Sequence, residues 1–152
     1  MKSITVAILL FVFSTTLSAQ VAIMSAPDSL DWKKITETTV SFDQNTVDKI
    51  QEAEIMITGP ARFASLHFKV VTAQIDLKSL AIFFENGDKQ DVAINEIIKD
   101  KTDSRVIDLN GDQRKIKKVV FKYMEVAHTD DKKVKLELWG GQFRTSVRKE
   151  RK

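Results

Sequence analysis

The chain has 152 residues, with 24 Lys and Arg against 21 Asp and Glu, giving a formal net charge of +3. That balance is too small to require nucleic acid or an anionic membrane as partner, and the length fits one domain. Cysteine is absent, which excludes disulfides, thiolate nucleophiles and Cys-ligated zinc, so stability must come from packing.

The N-terminus reads as a secretory signal peptide over residues 1–19. Lys2 supplies the positive charge, residues 4–13 (ITVAILLFVF) the apolar run, and residues 14–19 (STTLSA) a small, polar approach to a cut after Ala19. The apolar run is short of the roughly 20 residues that span a bilayer. The expectation is an exported protein, periplasmic or extracellular, with no transmembrane segment after processing.

A polar N-terminal segment, residues 20–31, precedes a domain expected over 32–141. In that domain apolar residues recur with period 2, the mark of strands with one buried face. Thr38, Val40 and Phe42 alternate with polar neighbours, then Ile55 and Ile57, then Leu66, Phe68 and Val70. Leu80, Ile82 and Phe84 follow, then Val92 and Ile94, the short apolar piece 106–109, Val119, Phe121 and Tyr123, and finally Val134, Leu136 and Leu138. Turn signals separate these segments at Gly59-Pro60, Asn86-Gly87, Asn110-Gly111 and residues 128–133. Only residues 45–54 and 95–100 could hold a helical turn. With no helices to cover them, about eight short strands predict an all-β fold, an antiparallel β-sandwich.

The Asn86-Gly87 turn constrains its hairpin. A two-residue loop would pair 84 with 89 and throw Val92 and Ile94 onto the face opposite Leu80, Ile82 and Phe84. An odd loop, of three or five residues, pairing 84 with 90, 82 with 92 and 80 with 94, unites the five apolar side chains. Gly140-Gly141 reads as a break, followed by a basic tail over 142–152. From Arg144 to Lys152 five of nine residues are basic, namely Arg144, Arg148, Lys149, Arg151 and Lys152. The tail is either a solvated terminus or an attachment to an anionic surface polymer.

Chemistry-bearing motifs are sparse. Asp108, Asn110 and Asp112 have the opening spacing of a calcium loop, but Gly111 comes too early and Val119 stands where the closing Glu belongs, so a plain turn is expected. Arg105, Asp108 and Arg114 could instead form an ion-pair cluster. His67 and His128 lack companions at ligand spacing, so no metal, cofactor or catalytic residue is assigned. Trp139 lies on the parity opposite to Leu136 and Leu138 and therefore faces outward, where an indole can stack on a sugar ring; Trp32 is a second candidate. For both, closing the end of the core is the alternative role.

Trp32, Asn86-Gly87, residues 104–111 (SRVIDLNG), 114–123 (RKIKKVVFKY) and 136–140 (LELWG) together resemble the YaaI-like family of small exported bacterial proteins of unknown function. The resemblance spans Trp32 to Gly140 and implies a compact β-sandwich in the bacterial envelope, with no functional residue to carry over. The functional expectation is a non-enzymatic domain that associates with an envelope glycan or other surface component. The alternatives are a carboxylate-based hydrolase acting on envelope glycans and a structural or stress-related envelope protein without a small ligand. Oligomeric state is not legible.

Overall fold

The computed structural model describes residues 30–43, 45, 48–126 and 132–144. They form eight strands: β1 (Leu30–Ser41), β2 (Gln51–Met56), β3 (Ser65–Val70), β4 (Ile75–Phe84), β5 (Lys89–Ile98), β6 (Ile107–Asp108), β7 (Ile116–Met124) and β8 (Lys133–Phe143). These make two four-stranded antiparallel sheets, ordered β1-β8-β3-β6 and β2-β7-β4-β5. The all-β sandwich expected from the alternation is the fold observed.

The core is the sum of the two inner faces. Leu66, Phe68, Val70, Val134, Leu136 and Leu138 come from the first sheet, and Leu80, Ile82, Phe84, Val119, Phe121 and Tyr123 from the second. Phe68 and Phe121, both fully buried, meet ring to ring at 5.4 Å. Each such ring removes a large apolar area from water and contributes a tilted ring contact besides.

In the β4–β5 hairpin the facing agrees with expectation and the register does not. Ile82 pairs with Gln90 and Leu80 with Val92, two residues away from the expected pairs. The loop has three residues, 85–87, closed by Phe84 N–H to Asp88 O at 2.9 Å and Gly87 N–H to Phe84 O at 3.1 Å. Gly87, at φ 93°, supplies the left-handed residue that a three-residue hairpin loop needs. A slip of two preserves which side chains face in, and Leu80, Ile82, Phe84 and Ile94 are all buried.

Three further expectations are corrected. Residues 95–98 are no helical turn but the end of β5, where Ile98 pairs with Ile75, and Gln51 to Glu54 belong to β2. Gly140 and Gly141 do not break the chain: they lie inside β8, which continues to Phe143 and pairs it with Leu30 of β1. Glycine in a strand marks close approach. A Cβ on Gly140 would stand 2.2 Å from the Phe63 ring, and one on Gly141 would stand 3.0 Å from Leu30 and 3.2 Å from Trp32.

Residues 102–109 close one side of the sandwich. Val70 N–H reaches Thr102 O, Phe68 N–H reaches the Ser104 hydroxyl, Ser104 N–H returns to Phe68 O, and Leu109 N–H reaches Ala64 O. This satisfies the edge of β3, which would otherwise offer unpaired backbone groups. The same segment reaches the second sheet, where the Arg105 guanidinium donates to Ala93 O of β5.

Candidate functional site

The outer face of the β1-β8-β3 sheet carries an aromatic cluster. Inward placement of Leu66 and Phe68 on β3 turns His67 outward, and inward placement of Leu136 and Leu138 on β8 turns Trp139 outward. The register sets His67 directly opposite Trp139, and Lys34 of β1 opposite Trp139 on its other side. Trp32 lies one row further on, opposite Gly141. With no side chain on Gly141, the Trp32 indole lies across β8 and meets His67 at 4.6 Å between ring centroids; His67 meets Trp139 at 6.2 Å, edge on. The two tryptophans named as candidates are therefore brought together, half-buried, around an imidazole.

A chain of polar contacts runs into this cluster. Trp139 Nε1–H donates to Glu137 Oε2 at 2.9 Å, Lys34 Nζ donates to Glu137 at 3.3 Å and to Glu37 at 3.1 Å, and Lys135 lies 3.0 Å from Glu37. The indole hydrogen bond, then Lys34, hold the Glu137 carboxyl below its ordinary pKa. Hydrogen bonds to Glu37 and Glu137 raise that of Lys34. Lys34 is exposed while the Glu137 side chain is only 16% exposed; with one partner in solvent, the pair fixes orientation more than it stabilises.

His67 differs. Its Nε2 is buried without a hydrogen-bond partner, and burial lowers its pKa, with Lys69 adding to the effect and Asp103 opposing it. The imidazole is therefore a neutral, flat filler between two indoles. Sequence reasoning did not assign it. The signal present was its outward parity between Leu66 and Phe68; the missing one was the strand order that sets it beside Trp139.

The other candidates fall apart in space. Asp108 accepts from the Ser65 hydroxyl at 2.8 Å. The expected cluster of Arg105, Asp108 and Arg114 does not form: Arg114 pairs with Asp88 at 2.8 Å, donates to Asn110 O at 2.8 Å and lies 4.0 Å over the Phe84 ring. Two turns that are 24 residues apart in sequence, at Asn86-Gly87 and Asn110-Gly111, share this guanidinium, and the planar, forked group serves both. Among the described residues, no group of three or more His, Asp or Glu is placed to hold a metal ion, and no helix is long and apolar enough to cross a membrane. Arg144 is exposed just past β8, at the Trp32 end of the sheet. Arg148, Lys149, Arg151, Lys152 and His128 lie outside the described residues.

Fold and site together define a cysteine-free antiparallel β-sandwich that presents two tryptophans on one outer face. The family model described as Domain of unknown function (DUF2541) matches residues 4–140, and the chain belongs to that family. No curated protein and no solved structure matches it.

Proposed function

We propose that this chain is an exported, non-enzymatic member of the family, of the YaaI-like kind, that binds a saccharide of the cell envelope or surface on the Trp32–His67–Trp139 face. The observation that carries the reading is the pair of half-buried indoles flanking one imidazole on a solvent-facing sheet surface. Flat rings offer a stacking surface for the C–H face of a sugar. Glu137 and Lys34 beside Trp139 supply the acceptor and donor that hydroxyl groups need. Export is supported by the charge, apolar and small-residue order of residues 1–19, and the family match begins inside that apolar run. The basic residues from Arg144 onward would add an electrostatic contact to an anionic polymer.

The test is a glycan array and pull-down on exported material, whose intact mass should show a chain beginning at Gln20. Trp139→Ala and Trp32→Ala should each weaken capture about tenfold or more, a loss in the range of removed aromatic stacking, while Trp139→Phe retains part of it. Wild-type capture by both alanine variants, with native melting curves, would overturn the aromatic face as the site. A mass retaining residues 1–19 would overturn the processing.

A further inference from the structure

The outer face of the second sheet is hollowed. At its centre, cross-strand neighbours on β7, β4 and β5 are small: Val120 opposite Ala81, and Ser79 opposite Ala93. One row away the register sets Lys118, Phe83 and Lys89 side by side across the same three strands. Tall side chains around a floor of small ones leave an open hollow of about 590 Å³, a size that takes a small ligand.

The rim decides what kind. Lys118 bonds Glu54 at 2.8 Å and Lys89 bonds Asp91 at 3.0 Å, and both ammoniums lie over the Phe83 ring, at 5.0 and 5.6 Å. Glu52 and Lys122 stand directly opposite each other on β2 and β7. The rim is thus balanced, each charge beside one of the opposite sign, so an ionic ligand would be attracted by one group and repelled by its neighbour. A paired ammonium still has N–H groups to donate, and a paired carboxylate still has lone pairs to accept. A neutral molecule rich in hydroxyls uses both, and the half-buried Phe83 edge gives it an apolar wall.

The carboxylates of this rim are engaged by lysines. Glu54 and Asp91 stand on strands three spacings apart, their backbones roughly 14 Å from each other, and are held by Lys118 and Lys89 respectively. Glu52 and Glu54 are neighbours on one strand and project from the same side of it.

We propose that this hollow is a second binding site, for a neutral saccharide of one to a few units, on the face opposite the aromatic cluster and sharing no residue with it. The site stands or falls independently of the aromatic face. The experiment is an NMR titration of the isotopically labelled protein with tetramers of glucose and of N-acetylglucosamine. Amide shifts should move at Ala81, Ala93 and Val120. The affinity should change by less than about twofold between low and high salt, as a neutral ligand carries no charge whose attraction salt could screen. Ala81→Trp, which fills the hollow from an outward position, should weaken binding at least about tenfold. Asp91→Asn, which leaves the shape intact, should weaken it severalfold, and Trp139→Ala should not change it. Absence of binding by both tetramers overturns the proposal. So do shifts confined to the Trp32 and Trp139 face, an unchanged affinity in both hollow variants, and a preference for uronate tetramers that fades with salt.

Discussion

Trp32 and His67 touch at 4.6 Å although their strands are not neighbours: β8 lies between them, and the indole crosses it over Gly141. A glycine in a central strand is costly in isolation, and here its absent side chain is what joins two residues 35 positions apart in sequence into one surface.

Gly141→Val should therefore act on the aromatic face before it acts on the fold. The added Cβ stands 3.2 Å from the Trp32 ring and 3.0 Å from Leu30, so the indole must lift away. Tryptophan emission should shift to the red, and the His67 pKa, lowered by burial, should move up toward the ordinary histidine value. An unchanged imidazole titration would show that Trp32 does not cover His67 in solution.

Gly140→Ala should destabilise the fold itself. Its Cβ would stand 2.2 Å from the buried Phe63 ring, an overpacking worth about 1–3 kcal/mol. Denaturant melts measure it, and combination with Phe63→Leu should return part of the loss. A Gly140→Ala variant as stable as wild type would mean that Phe63 packs elsewhere.

Phe84 and Phe83 are adjacent and should respond very differently. Phe84 is 3% exposed in the core, whereas Phe83 lies half-buried on the outer face under Lys89 and Lys118. Phe84→Ala should cost about 3–5 kcal/mol through lost burial and a cavity, and Phe83→Ala clearly less. Equal or reversed losses in chemical denaturation would contradict the facing of β4.

His67 should give the stability a pH dependence. Its folded pKa lies below the ordinary value of about 6.5, so the unfolded chain binds the extra proton first. The neutral ring contributes fully above pH ~6.5, and stability falls as pH drops from there toward the folded pKa. Glu37, Asp88 and Glu137, whose pKa values are also lowered, begin to lose their contribution only below pH ~4.5, which separates the two windows. His67→Gln should flatten the slope just below pH ~6.5. A slope that survives His67→Gln would assign it to another group.

Arg114 should resist conservative replacement. It reaches Asn86, Asp88 and Asn110 and stacks on Phe84 at 4.0 Å. Lysine keeps the charge but has neither the planar stack nor the fork. Arg114→Lys should lower the melting temperature by several degrees, with Arg114→Ala lower still. Equal melting of Arg114→Lys and wild type would reduce the residue to a surface charge.

What was legible in the sequence follows from one physical fact: each strand buries one face only. The alternation of Leu66, Phe68 and Val70, or of Val119, Phe121 and Tyr123, marks both the strand and its inner side, and all six residues are buried. The alternation says nothing about neighbours. β8 lies between β1 and β3 because of packing across the whole domain, so the meeting of His67 with both tryptophans was out of reach. Bulges hide for a related reason. Ile75 and Leu77 face inward on odd positions and Leu80, Ile82 and Phe84 on even ones, because the register shifts between Leu77 and Ser79. A period-2 reading stops at such a shift, and it never included Ile75 and Leu77. The glycine pair misled for the opposite reason: Gly140 and Gly141 look like a stop until Phe63 and Trp32 are seen lying against them.

The position of β8 sets a timing on how this chain is made. It is the last of the eight strands among the described residues and yet an inner strand of its sheet, holding β1 on one side and β3 on the other. During synthesis β1 and β3 have no partner between them until β8 has been made, so this sheet cannot assemble from its N-terminal end. Completion of that sheet therefore waits for β8. A version shortened before Leu136 should remain unstructured, with the β1–β8–β3 sheet missing its middle.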